Sequence, residues 1–79
     1  MSNINKYKKS FIDSLSLDSK TNLENLKYND IPEWDSIGHM ALISSLEETF
    51  NISLETDDIV DFSSFKKGKE IISKYKVKF

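Results

Sequence analysis

Residues 36–50 decide the fold, and they read Ser-Ile-Gly-His-Met-Ala-Leu-Ile-Ser-Ser-Leu-Glu-Glu-Thr-Phe. Apolar residues, together with one histidine, recur in this stretch with the spacing of an α-helix, so that one side faces a core. That side consists of His39, Leu42, Ile43, Leu46 and Phe50. The pattern predicts a helix over 36–50 that ends at Asn51, a residue type suited to a helix C-cap.

Three further segments carry helical signals. Apolar spacing predicts an amphipathic helix over about Ile4–Leu15 and a last helix over about Ser64–Tyr75. A short helix is expected over Asp57–Asp61, with Thr56 as its cap. Gly68 falls on the inward side of the last helix, where a glycine admits close packing. No long alternating pattern predicts a strand, and 79 residues are expected to form a single domain, 1–79.

A long connection, Ser16–Asp35, separates the first two helices. It carries its own apolar anchors, which are Leu17, Leu23, Leu26, Tyr28, Ile31 and Trp34. Thr21 and Glu24 fit a capping box, which predicts a short helical turn over 21–27. Since an unstructured loop of this length is uncommon in a small domain, we expect it to be ordered and packed across the core. The predicted fold is an all-α four-helix bundle with a long first loop and a short third helix.

Charge is segregated along the chain, although the net charge is only −2. Residues 28–65 contain nine acidic residues and no basic ones, whereas 66–79 contain six lysines and one acid. This distribution favours basic protein partners and disfavours nucleic-acid binding through the middle of the chain. A solvated surface with no partner is the alternative explanation.

Composition excludes several classes of site. There is no cysteine and only one histidine, so neither a disulfide nor a multi-histidine metal site is possible, and we expect no metal. The longest apolar run, Met40–Ile43, is far too short to span a membrane. No apolar run follows the N-terminal lysines, so we expect no signal peptide and a cytoplasmic location.

Ser36 lies where the long loop becomes the second helix. A serine there is suited to capping the helix. The same place also suits an attached phosphate, because a helix N-terminus presents free N–H groups and a partial positive charge. Asp35, beside it, is an unhelpful neighbour for a phosphate and is better suited to facing a metal or partner during a modification.

The residues around Ser36 resemble the signature of acyl carrier proteins. Asp35-Ser36-Ile37 is similar to that family's Asp-Ser-Leu, and Leu-Glu-Glu-Thr-Phe at 46–50 resembles the end of its second helix. Ile52, the acidic pair Asp57-Asp58 and the last helix continue the similarity, which covers essentially the whole chain.

This resemblance implies a carrier that is not itself an enzyme. A phosphopantetheinyl transferase would attach 4'-phosphopantetheine from coenzyme A to Ser36, with Asp35 flanking the site. The arm would supply a thiol that this chain lacks and would hold acyl or aminoacyl groups as thioesters. Loading ligases and acyltransferase or synthase enzymes would be the further partners of a monomeric carrier.

The family's docking surface corresponds to the outer face of the second helix. Carried over by position, it consists of Asp35, Ile37, Met40, Ala41, Ser44, Glu47 and Glu48. Ile37 and Met40 would make apolar contacts, and Glu47 and Glu48 would meet basic residues. The alternatives are core packing for the first pair and simple solvation for the second.

Other functions remain open at this point. Gly38 and Ala41 stand where housekeeping fatty-acid carriers usually have acidic residues, which favours a specialised pathway over fatty-acid synthesis. A helical interaction module without a prosthetic group is the alternative of another class. A Ser36–His39 hydrolase is disfavoured, because no orienting group or oxyanion hole is evident. Simple packing is the favoured role for His39 and for Trp34, over contact with the arm.

Overall fold

The computed structural model describes residues 2–79, and their architecture is a bundle of four helices. The helices are α1 (Asn3–Leu15), α2 (Ser36–Phe50), α3 (Thr56–Asp61) and α4 (Phe65–Ser73). Residues 2–79 contain no strand beyond an isolated bridge between Lys27 and Ser64. The predicted all-α bundle, with its long first loop and short third helix, is confirmed. No helix in this part of the chain is both long and apolar enough to cross a membrane.

The bounds of α2 agree with the prediction, but its cap does not lie at Ser36. Asp35 is the N-cap, since its backbone is extended and its carboxylate accepts the Gly38 N–H at 2.8 Å. Ser36 is the first helical residue. Asn51 ends the helix in the left-handed conformation, with φ 54°, as expected. The capping role expected of Ser36 therefore belongs to Asp35.

The other helix ends differ from prediction by a few residues. Thr56 lies inside α3, and Glu55 occupies the cap position without a side-chain hydrogen bond. Ser64 is the cap of α4 rather than its first residue, because its hydroxyl accepts the Lys67 N–H at 3.0 Å. The last helix ends at Ser73, so Tyr75 lies in the turn that follows.

The predicted helical turn over 21–27 is wrong. The structure has only a turn at Glu24 and Asn25 there. Two backbone groups in this part of the loop bond to the residues where α4 begins: Phe65 N–H donates to Leu26 O, and Tyr28 N–H donates to Ser63 O, both at 2.9 Å. Within the loop, Leu26 N–H donates to Leu23 O and Lys27 N–H donates to the Asp30 carboxylate, both at 3.0 Å, so neither bonds to the fourth residue before it as an α-helix requires.

Aromatic side chains fill the centre of the bundle. The largest fully buried ones are Tyr7, Phe11, Trp34, Phe62 and Phe65. The Tyr7 hydroxyl donates to Phe65 O at 2.7 Å, and burial raises the pKa of this phenol. Leu42, Ile43 and Leu46 of α2 are buried beside these rings, as predicted.

Gly68 is buried on α4, and a side chain there would collide with Phe62 and the Tyr7 hydroxyl. The close packing predicted for this glycine is confirmed.

Candidate functional site

Ser36 is exposed at the start of α2. Its hydroxyl makes no hydrogen bond within residues 2–79, because Asp35 has taken the capping role. The hydroxyl therefore lies free at the positive end of a 15-residue helix. A modifying enzyme can reach this oxygen without first breaking a native contact.

An apolar cleft opens beside Ser36. It has a volume of ≈ 340 Å³ and lies between α2, α3 and the long loop. The residues that line it are Tyr28, Ser36, His39, Met40, Ile59, Val60, Phe62 and Ser63. Ser36, His39 and Met40 are predicted site or contact residues, and Tyr28 is a predicted loop anchor. The other four come together where α3 docks, and their one signal in the sequence is the apolar pair Ile59 and Val60 within an acidic segment.

A hydrogen-bond relay forms the base of this cleft. The Trp34 indole N–H donates to His39 Nδ1 at 3.0 Å, and His39 Nε2 lies 2.9 Å from Ile59 O. Since Nδ1 accepts a bond and the carbonyl can only accept, the proton of the neutral imidazole lies on Nε2. The relay thus joins the long loop, α2 and α3 through one side chain.

His39 is half-buried, and Trp34 is fully buried, as the packing roles assigned to them require. Both imidazole nitrogens are engaged by Trp34 and Ile59, so the Ser36–His39 pair of the hydrolase hypothesis is not formed. The Tyr28 ring lies edge-on against His39, with centroids 5.4 Å apart. Tyr28, a predicted loop anchor, packs against Trp34 and His39 but keeps 37% of its area exposed.

The predicted docking residues lie mostly on the open side of α2. Ile37 and Met40 are 81% and 53% exposed, which rules out the core packing considered as their alternative role. The other exposed members are Asp35, Ala41, Ser44 and Glu48. Glu47 differs, because it is half-buried and its carboxylate accepts the Leu54 N–H at 2.7 Å. One oxygen of Glu47 therefore holds the loop between α2 and α3.

Val60 extends this open apolar surface onto α3, where 78% of its side chain is exposed. It shares the cleft with Met40, although sequence analysis did not propose it. Three exposed apolar side chains thus lie near Ser36: Ile37 and Met40 on α2, and Val60 on α3.

Gly38 has a structural reason that the sequence did not reveal. A side chain at this position would collide with the Glu33 carbonyl oxygen and approach Leu15. The long loop passes directly over the first turn of α2, and only a glycine leaves room for it. Because local packing explains Gly38, this residue gives no information about which partners the chain would prefer.

A polar cluster joins α3 to the end of α4. Lys74 Nζ lies 2.7 Å from Asp58 Oδ1, and the Tyr75 hydroxyl donates to the other oxygen of Asp58. Tyr75 also accepts the Glu55 N–H at 3.1 Å. Hydrogen bonds from Lys74 and then Tyr75 hold the pKa of Asp58 below its ordinary value.

The acidic residues of segment 28–65 have few basic partners within the described part of the chain. Apart from Asp58, no acidic residue of segment 28–65 makes an ion pair with another of the described residues. No three His, Cys, Asp or Glu side chains of residues 2–79 come together in a way that could hold a metal ion.

Comparison of this chain with protein-family models, curated proteins and solved structures finds no match.

Proposed function

We propose that this chain is a carrier protein that bears phosphopantetheine on Ser36 and presents acyl or aminoacyl groups to partner enzymes. The observation that carries the proposal is the free, exposed Ser36 hydroxyl at the start of α2, beside an apolar cleft. The resemblance to acyl carrier proteins over the whole chain supports the same function.

The residues at the site fit such a group. One carboxylate oxygen of Asp35 accepts the Gly38 N–H. The negative charge of Asp35 therefore already interacts with the helix end beside Ser36. The adjacent cleft offers Met40, Val60 and Phe62 as apolar contacts for the arm itself. When bound, the group supplies a thiol that forms thioesters, which no residue of this chain provides.

The modification uses one oxygen of this chain. Ser36 Oγ forms an ester bond to the phosphorus nearest the pantetheine, while the phosphoanhydride bond of coenzyme A breaks and adenosine bisphosphate leaves. The hydroxyl proton passes to a base on the transferase. The carrier contributes an accessible hydroxyl at a helix N-terminus, where the partial positive charge favours the resulting phosphate and partly offsets repulsion from the Asp35 carboxylate.

Partner enzymes would dock on the surface that surrounds Ser36. Ile37, Met40 and Val60 supply exposed apolar area, and Glu48 supplies an unpaired charge beside it. Apolar contacts at the centre with charges at the rim are typical of transient protein interfaces. Basic residues on the partner would complement the acidic rim and speed association.

A specialised pathway, rather than housekeeping fatty-acid synthesis, is the proposed context. Ala41 is exposed where housekeeping carriers usually have an acidic residue. The departure at Gly38 no longer bears on this point, because local packing explains it. Efficient malonyl transfer and elongation by fatty-acid synthase enzymes on this carrier would overturn the specialised assignment.

Attachment of the arm is the experiment that tests the carrier function. The purified chain is incubated with coenzyme A and a broad-specificity phosphopantetheinyl transferase, and its intact mass is measured. We expect the mass to rise by one phosphopantetheine in the wild type and in the exposed Ser53→Ala, but not in Ser36→Ala. No gain in the wild type would favour the interaction module without a prosthetic group, and a gain in Ser36→Ala would move the site.

A further inference from the structure

The cleft beside Ser36 is open to solvent but closed at its base. Trp34, His39 and Ile59 are linked there by two hydrogen bonds of 3.0 and 2.9 Å. The first bond joins the long loop to α2, and the second joins α2 to α3, beside the cleft residues His39 and Ile59. Phe62 lies against the His39 ring, with centroids 5.9 Å apart, and is 1% exposed.

Behind this base the core is occupied by aromatic rings. The Trp34 ring packs edge-on against Phe11 and Phe62, with centroids 5.3 and 6.5 Å away, and its own exposure is 0%. Every buried side-chain nitrogen and oxygen of the described residues has a hydrogen-bond partner. A chain entering from the cleft would have to displace a fully buried indole and break both bonds of the relay.

The volume of the cleft also limits how much of an attached group it can enclose. Its volume of ≈ 340 Å³ lies at the lower end of the range for small-molecule sites, which is about 300–1,000 Å³. An attached arm would itself occupy part of this space. The cleft is therefore too small to enclose both the arm and a long alkyl chain.

Resting on the proposed attachment at Ser36, we infer that the Trp34–His39–Ile59 relay keeps cargo outside the core, so that this carrier serves short or polar acyl groups, including aminoacyl groups. A long alkyl chain on the arm would stay in water, where exposed methylene groups are unfavourable. A short or polar group carries little of this cost and needs no enclosure.

A series of cargo lengths tests the inference. A permissive transferase loads Ser36 from acetyl-, butanoyl-, octanoyl- and dodecanoyl-coenzyme A, and each product is purified. The thermal midpoint and the rate of thioester hydrolysis are then measured for each. We expect the midpoints to agree within about 2 °C and the hydrolysis rates to agree within about twofold, because no methylene group becomes buried.

A midpoint that climbs with chain length, together with slower hydrolysis, would overturn the inference while leaving the carrier function intact. Failure of Ser36 to accept any of the four groups would overturn the proposed function itself. The two failures are therefore distinguishable in a single set of samples.

A variant of the relay gives the converse test. His39→Ala removes both bonds and opens the base of the cleft, so we expect protection that increases with chain length to appear in this variant. Ser53→Ala, an exposed residue outside the docking surface, is the matched control and should behave as wild type. Chain-length independence in a folded His39→Ala would overturn the role of the relay. Should this variant fail to fold, the wild-type series alone still decides whether cargo is enclosed.

Discussion

Two adjacent residues at the start of α2 have separate tasks. Asp35 caps the helix, whereas Ser36 is exposed and its hydroxyl is the proposed attachment site. Both residue types are good caps, so their order in the sequence does not say which one serves. The division depends on the loop geometry, which makes Asp35 extended, with ψ −168°, and Ser36 helical.

Stability measurements separate these two tasks. Asp35→Ala should lower the free energy of unfolding by about 1 kcal/mol, because the Gly38 N–H loses its acceptor. Ser36→Ala should change it by less than about 0.5 kcal/mol, since its exposed hydroxyl bonds to nothing in the chain. Urea unfolding of both variants checks this, with Asp35→Asn as the control that keeps a capping oxygen. An equal loss in Ser36→Ala would contradict the assignment of the cap.

Gly38 makes a second prediction at this scale. Alanine raises helix propensity by about 1 kcal/mol, so Gly38→Ala would stabilise an unobstructed helix. Here the added carbon collides with the Glu33 carbonyl oxygen, and overpacking of this kind costs about 1–3 kcal/mol. We expect a net loss of stability in urea unfolding, while Ser44→Ala on the open side of α2 stays near wild type. A more stable Gly38→Ala would show that the loop does not press on α2.

The short helix α3 is held by polar contacts as well as by burial. None of its residues is fully buried, although Ile59 packs against the core. Its polar contacts are the Ile59 carbonyl, which bonds to His39, and Asp58, which bonds to Lys74 and Tyr75. A helix held in this way depends on the charge of the groups that hold it, so its docking should respond to pH.

The pKa of Asp58 determines whether stability rises or falls with pH. Its pKa in the folded chain lies below the ordinary value of 3.8, because Lys74 and Tyr75 donate hydrogen bonds to the carboxylate. The stabilisation is therefore complete above the ordinary value and is lost as the pH falls through the lowered one. Thermal midpoints at neutral pH and at about pH 3 should differ more for wild type than for Asp58→Asn.

A neighbouring carboxylate provides the control for this prediction. Asp57 is exposed on the same helix and makes no ion pair within the described residues, so Asp57→Asn should keep most of the acid sensitivity of the wild type. Equal acid sensitivity in wild type and Asp58→Asn would mean that Asp58 does not hold α3 to α4.

Prediction of the elements from sequence worked where the signals are local. The bounds of α2 follow from its apolar spacing and from Asn51, which ends it. The helical turn expected over 21–27 did not form, because Lys27 N–H bonds to the Asp30 carboxylate and the loop is tied to distant residues through Tyr28 N–H and Ser63 O. The cleft and the relay were beyond prediction for the same reason, since both depend on where α3 docks.

At the scale of the whole molecule, charge is divided between the middle and the ends of the chain. The exposed acids around Ser36 are largely unpaired, and eight of the eleven lysines make no ion pair within residues 2–79. On the proposed docking surface, such a division would orient a basic partner and raise the rate of productive encounters. It would also make that docking sensitive to salt.

A pair of charge reversals tests this division. Glu48→Lys, on the proposed docking surface, should raise the KM of a basic transferase about 3- to 10-fold, which corresponds to roughly 0.7–1.4 kcal/mol. Glu70→Lys on α4 makes the same change in net charge away from Ser36 and should have little effect. Steady-state modification rates at low and high salt measure both, and the difference should shrink at high salt. Equal effects of the two reversals would indicate that net charge alone matters.

The most direct test of the central claim is the state of Ser36 in the cells that make this protein. The chain is isolated from them, digested and mapped by tandem mass spectrometry. We predict phosphopantetheine on the peptide that contains Ser36, with the fragment ions placing it on that residue. A chain that is unmodified at Ser36 in every sample, or that carries the group on another residue, would contradict the account.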